Sequence, residues 1–314
     1  MNFASLNKTI LVSGASGLIG SALVRGWMPE PIHLVRLVRQ KEHVREAKAG
    51  QAVLWNPSAE PPLADLQLLR GVTAAVHLSG ATVAGPRWTP AYKREIFNSR
   101  VQSTTALVNT LLKLAPLPEV LVCASAIGIY GNRAEEILDE NSPPGEGFLA
   151  NTCVAWEAAT LAAEAAGIRV VHARFGVVLS PQGGALAKML PLFRLGLGGP
   201  LGNGRQFMPW ITLRDAVSIL RYCIDEPAIR GAVNVVAPNP VTNAEFTRAL
   251  GSALHRPAIL PAPSFALRLA FGEMADQALL ASDRVVPAKL LQNGFEFADP
   301  LLGPALESII SSPA

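Results

Sequence analysis

Near its amino end the chain carries Gly14-Ala15-Ser16-Gly17-Leu18-Ile19-Gly20, a stretch with the composition and spacing of an anion cradle. It follows the apolar run Ile10-Leu11-Val12 and leads into Ser21-Ala22-Leu23-Val24, which reads as strand, glycine turn and helix. Glycines at this spacing let the backbone turn sharply, approach a pyrophosphate closely and bring the helix tight against the sheet. Free N–H groups at the helix start then attract the anion. The chemistry implied is dinucleotide binding, with Gly14, Ser16, Gly17, Leu18, Ile19 and Gly20 as contact residues. The plain alternative is an ordinary tight turn between a strand and a helix.

The residue ending the second strand selects between dinucleotides, because a carboxylate there binds the adenosine 2′-hydroxyl of NAD whereas an arginine accommodates a 2′-phosphate. Here the strand ends Leu37-Val38-Arg39-Gln40-Lys41, no acid precedes Glu42, and Arg39 lies 19 residues beyond Gly20. NADP(H) is therefore expected over NAD(H), with Arg39 on the phosphate and Arg36 as a second candidate, unless both arginines merely solvate the strand edge. Farther on, His77-Leu78-Ser79-Gly80-Ala81 puts small residues where carboxyl ends of parallel strands form a ligand crevice. Leu78, Ser79, Gly80 and, at the end of the next strand, Ala124 are expected to line the cofactor, and His77 to pack within its strand. The segment Gly202-Asn203-Gly204-Arg205-Gln206-Phe207-Met208-Pro209-Trp210 combines close-approach glycines, a forked donor and a stacking face. Arg205 and Gln206 are candidate substrate contacts there; otherwise Arg205 is an internal anchor for a carboxylate such as Asp215.

These residues need strands and helices in alternation, and the hydrophobic pattern supplies them. Strands are expected at Ile32–Val38, Ala52–Leu54, Thr73–Leu78, Val120–Cys123, Arg169–Arg174 and Val233–Val236. One helix is expected over Pro90–Ala115 with a break near Asn98, one over Asn151–Ala166 closed by Gly167, and one from Thr242 through Leu254 with Glu245 completing a capping box. Apolar strands alternating with helices imply an α/β fold with a doubly wound parallel sheet of the Rossmann type. Residues 1–182, with about 211–240 returning to the sheet, read as the dinucleotide-binding domain. Residues 183–210 and 241–314, richer in Gly, Pro and helix, read as a smaller lobe on the substrate side.

Composition bounds the function. Half of the 314 residues are hydrophobic and 16% are charged, which describes a globular chain, and no apolar run reaches membrane-spanning length. A net charge of +3 without a basic cluster gives no reason to invoke nucleic acid or a membrane surface. No secretory or Arg-rich leader is read in Met1–Lys8, and Cys123, Cys153 and Cys223 lack CxxC spacing, so buried thiols in a cytoplasmic protein are expected.

The chain resembles the extended short-chain dehydrogenase/reductases, and within them the atypical branch of nucleoside-diphosphate-sugar epimerases with a small C-terminal domain. The resemblance rests on GASGLIG from Gly14, HLSGA from His77, RWTPAYKREIFNSRV from Arg87, ASAIGIYG from Ala124 and AWEAA from Ala155. It continues in RFGVVLS from Arg174, GLGGPLGNGRQFMPWI from Gly196, APNPVTNAEF from Ala237, FGEMA from Phe271 and LQNGFEF from Leu291. It implies a small-molecule substrate, a nucleotide-sugar or small carbonyl. The departure from the superfamily is chemical. Its Tyr-x-x-x-Lys pair, in which lysine lowers the tyrosine pKa for proton exchange, has Leu149 and Cys153 in its place. The tyrosines Tyr92, Tyr130 and Tyr222 are followed four residues later by Ile96, Ala134 and Glu226, so no substitute pair exists. The resemblance makes Ser125 the residue that orients the reacting oxygen, Tyr130 or Glu157 a replacement acid/base, and Asn151 a substrate contact. The alternative is a non-catalytic NADP(H) binder, with Tyr130 packed in a corner and Glu157 capping or pairing on the helix surface.

Overall fold

A computed structural model describes residues 8–40, 50–85 and 87–311, so Met1–Asn7, Lys41 and Glu42 lie outside the described residues. One sheet is built from β1 (Thr9–Ser13), β2 (His33–Val38), β3 (Gln51–Leu54), β4 (Val72–His77), β5 (Val120–Ala126), β6 (Arg169–Phe175) and β7 (Gly231–Val235). Their spatial order is β7-β6-β5-β4-β1-β2-β3, and every neighbouring pair is parallel. The order reverses at β1, where Ser13 stands in register with Leu37 of β2 and His77 of β4, so the crevice of an open parallel sheet falls at the carboxyl end of β1.

The strands form where expected because each is an apolar run with both faces covered. Successive side chains point to opposite faces. Ile10, Val12, Val76 and Val122 therefore join Leu23 and Trp27 of α1 (Leu18–Trp27) on one face. Leu11, Ala75 and Leu121 join Leu107 and Leu111 of α2 (Pro90–Leu111) on the other.

Two helices differ from expectation. α2 starts where Thr89 accepts the Tyr92 N–H, with Pro90 in its first turn, and runs unbroken past an exposed Asn98 to Leu111. The segment expected as one helix over Asn151–Ala166 is two, α3 (Phe148–Ala158) and α4 (Leu161–Ala165). The break has a side-chain cause: the Thr160 hydroxyl donates to the Glu157 carbonyl and meets His172 Nε2 at 2.8 Å. Gly147 allows the earlier start, since it holds φ +106°, and Gly167 at φ +92° ends α4.

Beyond β6 the chain adds α5 (Gly184–Arg194), α6 (Leu213–Asp225), α7 (Asn243–Ala253) and several shorter pieces before a final helix at Leu302–Ser311. Thr242 and Glu245 do form a capping box on α7. Phe246 and Leu250 of α7, with Leu302 and Leu306 of the final helix, belong to the same apolar cluster as Ile10 and Val12 of β1. Among the described residues no helix is long and apolar enough to cross a membrane. All three cysteines are buried, and burial pushes each thiol up to about 12.

Candidate dinucleotide site

The glycine turn sits at the switch point, and its three glycines have separate reasons. Gly14 holds φ +73°, and a Cβ there would stand 2.7 Å from the Leu78 carbonyl carbon and oxygen, so the turn lies directly on the chain leaving β4. A Cβ on Gly20 would come within 2.2 Å of the Gly14 oxygen, so any side chain would push α1 off the turn. Gly17 differs: its Cβ would meet the Gly14 oxygen at 3.3 Å and otherwise open space. That opening faces the start of α1, which has no side-chain cap and no acid in its first turn, so the free amides of Leu18, Ile19 and Gly20 keep their positive end uncompensated. The cradle fits a pyrophosphate by shape and by charge. Ser16 is exposed beside it.

On the adenosine side, Arg39 is exposed immediately past β2. Arg36, three residues earlier, holds Nε and one terminal nitrogen buried without a hydrogen-bond partner among the described residues. Orphaned guanidinium donors cost free energy unless an acceptor reaches them. On the other side of β1, Leu78 and Ser79 are half-buried and Gly80 is exposed at the mouth, while Ala124 is buried at the end of β5. His77 is fully buried, with Nδ1 2.5 Å from Ser13 Oγ and Nε2 3.3 Å from Ser103 Oγ. Burial drives its pKa down to about 4, so it is a neutral tether between β1 and α2.

The three acid/base candidates come together, inside the protein. Glu157 on α3 accepts from Ser125 Oγ at 2.7 Å and from both arms of the Arg174 fork at 2.8 and 2.9 Å. Arg174 also reaches the Tyr130 hydroxyl at 2.9 Å, and that hydroxyl donates to Asn234 Oδ1 at 2.7 Å. Burial pushes the Glu157 carboxyl up, but the hydrogen bonds and charge of Arg174 outweigh it and hold the group below the ordinary carboxylate range. Burial raises the Tyr130 phenol against the opposing pull of Arg174. The phenol is 0% exposed with its donor and acceptor roles both taken, so it packs in the corner; Glu157 is paired in a buried cluster instead of on the helix surface.

At the positions where the resemblance leads one to expect the Tyr-x-x-x-Lys pair, the Leu149 side chain packs against Gly128 and Cys153 is buried with its thiol protonated. Neither exchanges protons at neutral pH. Asn151 is exposed near the start of α3, apart from this cluster. Arg205 is exposed too, and Asp215 is not its partner, since that carboxylate accepts from the Ala298 and Asp299 amides. Gln206 is buried and spends its amide on the Leu201 and Leu279 carbonyls, holding the glycine loop to the C-terminal segment. Sequence reading missed Asn234, Glu140 and Gln277. Asn234 N–H donates to Glu140 Oε1 at 3.0 Å, and Gln277 Oε1 accepts the Leu149 N–H at 3.1 Å. These partners lie 94 and 128 residues apart, beyond any local pattern.

The switch-point turn on a parallel seven-stranded sheet defines a Rossmann-type protein of the extended short-chain dehydrogenase/reductase class. The chain belongs to the NAD dependent epimerase/dehydratase family, whose model matches residues 10–236, and a domain of unknown function (DUF1731) matches residues 262–309. It is 43% identical over 307 residues to the epimerase family protein Mb2239 of Mycobacterium bovis, covering 98% of this chain and 99% of that one. The crystal structure of human epimerase family protein SDR39U1 (isoform 2) with NADPH superposes with a TM-score of 0.85 at 33% identity, covering 96% and 98% of the two chains. The nucleoside-diphosphate sugar epimerase from Corynebacterium glutamicum superposes with a TM-score of 0.75 at 34% identity, covering 95% of this chain and 57% of that one.

Proposed function

We propose that the chain is an NADP(H)-binding epimerase or reductase that acts on a nucleotide-sugar or a small carbonyl compound without a Tyr-x-x-x-Lys pair. The observation that carries the reading is the open cradle at Gly17 before an uncapped α1, with Arg39 and the orphaned donors of Arg36 on the adenosine side. The relative solved with NADPH supports that choice of dinucleotide, and the nucleoside-diphosphate sugar epimerase supports that class of substrate. The nicotinamide, when bound, supplies or accepts hydride. The chain's own part is to hold and orient. Gly14 to Gly20 receive the pyrophosphate, Arg39 the 2′-phosphate, and Leu78, Ser79, Gly80 and Ala124 line the path. Asn151 and Arg205, both exposed, are the substrate contacts, because Ser125 is buried with its hydroxyl proton donated to the Glu157 carboxylate.

A second reading, a non-catalytic NADP(H) binder, is favoured by one observation: Leu149 is apolar and the Cys153 thiol protonated where the Tyr-x-x-x-Lys pair is expected, and the replacement candidates Tyr130 and Glu157 are locked in hydrogen bonds with Arg174. Titration with NADPH and NADH, followed by nicotinamide turnover against nucleotide-sugars and small carbonyls, separates the two. Arg39→Glu is expected to weaken NADPH binding about 100-fold and leave NADH within about threefold, the worth of a charge-assisted phosphate contact. Equal losses sink the phosphate assignment, and tight NADPH binding with no hydride transfer selects the second reading.

A further inference from the structure

Between α1 and α6, on the side turned away from the sheet, lies a cleft of about 540 Å³ lined by Arg25, Arg214 and Arg221. The buried stripes of the two helices, Leu23 and Trp27 on α1 and Ala216 and Ile219 on α6, face the opposite way into the core. At one end of the cleft Arg221 is paired with Glu30 and lies 3.5 Å from the Gly26 carbonyl, which sets it beside Arg25 in the last turn of α1. At the other end the short strands Val177–Leu179 and Trp210–Thr212 run in parallel, with Leu179 opposite Thr212. Gln182 and Arg214 follow these strands, so both line the cleft near the amino end of α6. Seven residues separate Arg214 from Arg221, about 10 Å along a helix. Arg25 and Arg214 are exposed, and among the described residues neither side chain forms an ion pair or donates a hydrogen bond. Asp215, next to Arg214, is buried and spends its carboxylate on the Ala298 and Asp299 amides. Arg214 also stands in the first turn of α6, where a cation adds to the positive end of the helix dipole instead of offsetting it.

The lining defines a ligand. No acid and no aromatic ring is part of it among the described residues, and Gln182 and Ser218 supply neutral donors and acceptors, Ser218 one turn from each arginine of α6. Guanidinium forks bind phosphate through paired hydrogen bonds, so cations at both ends call for a phosphate at each end. Hydroxyl and amide partners without a stacking face call for a sugar body in place of a nucleobase. We infer that this cleft binds a bisphosphorylated sugar. It is separate from the dinucleotide cradle, which lies at the first turn of α1 while Arg25 lies in the last.

The test is calorimetric titration with fructose 1,6-bisphosphate, fructose 6-phosphate, inorganic phosphate and adenosine 3′,5′-bisphosphate, each with and without saturating NADPH. Fructose 1,6-bisphosphate is expected to bind at least about tenfold tighter than the two monophosphates, and NADPH to leave that affinity within about twofold. Arg25→Met and Arg214→Met remove exposed side chains without partners, and each is expected to weaken the bisphosphate at least about tenfold. Arg214→Lys is expected to lose less, because it keeps the charge and gives up only the fork. Arg39→Glu, at the cofactor site, is expected to leave the sugar bisphosphate within about twofold. Equal affinity for fructose 1,6-bisphosphate and inorganic phosphate, competition by NADPH, or unchanged binding in both methionine variants would overturn the inference. So would absence of sugar bisphosphate binding, or an adenosine bisphosphate that binds as tightly in the presence of NADPH.

Discussion

Arg174→Met tests the central polar cluster. Glu157 and Arg174 are 14% and 9% exposed in their side chains and share two bonds of 2.8 and 2.9 Å. Removing one partner of such a buried pair leaves an uncompensated charge and costs about 3 to 5 kcal/mol. Ser125 still donates to Glu157, so the lower figure applies, about 3 kcal/mol or about 6 °C in Tm for a chain of this length. The pH dependence identifies the cause. In the wild type the Glu157 carboxyl lies below its ordinary value, so its contribution is complete above about pH 4.5 and is lost as pH falls through the lower folded value. In the variant burial outweighs the remaining Ser125 hydrogen bond and the nearby His172 and raises the carboxyl, so the charged form destabilises above about pH 4.5 and protonation relieves it below. Urea unfolding of both proteins from about pH 8 to about pH 4 should therefore show a deficit of about 3 kcal/mol at neutral pH that shrinks by at least half in acid. The double variant Glu157→Gln/Arg174→Met should recover about 1 to 2 kcal/mol by removing the stranded charge. A deficit below about 1 kcal/mol, or one that does not change with pH, would refute this account of the cluster.

Gly17→Val and Gly20→Val should separate binding from folding. The first fills open space and should abolish dinucleotide binding with less than about 1 kcal/mol lost, whereas the second meets the Gly14 oxygen and should lower Tm by several degrees in thermal melts. His77 binds its proton more weakly folded than unfolded, so wild-type stability should fall between about pH 6.5 and about pH 4 by about 3 kcal/mol. His77→Gln should flatten that slope in pH-dependent urea unfolding. Tyr130→Phe leaves Asn234 Oδ1 without the phenol and should cost about 1 to 2 kcal/mol while NADPH affinity is unchanged; a lost affinity with unchanged stability would return the phenol to the crevice.

Much of the molecule is legible in its sequence because the signals are local. A buried parallel strand must be apolar on both faces, so Ile10–Val12, Thr73–Leu78 and Val120–Cys123 announce themselves, and the Thr242/Glu245 box announces α7. Gly14, Gly17 and Gly20 carry their meaning in their spacing, because a turn and the first helical residues are set by neighbouring φ and ψ. Family membership follows from the same runs. The break at Thr160 escaped the pattern, since it depends on His172 from the next strand.

What only the tertiary structure decides is which polar groups face ligand and which face each other. Tyr130 and Ser125 have the residue types of catalysts, yet Arg174 and Asn234, brought in by β6 and β7, turn the tyrosine inward and occupy the carboxylate beside the serine. Gln206 looks like a ligand contact until Leu201 and Leu279 take its amide. Arg100 stands in sequence as one more helix arginine, and lies between Gly80 and the Trp156 ring once α2 docks on β4. Sequence by itself determines the apolar frame and the dinucleotide turn because these depend on residues close along the chain. The fate of each buried charge depends on partners tens of residues away, and folding alone brings them together.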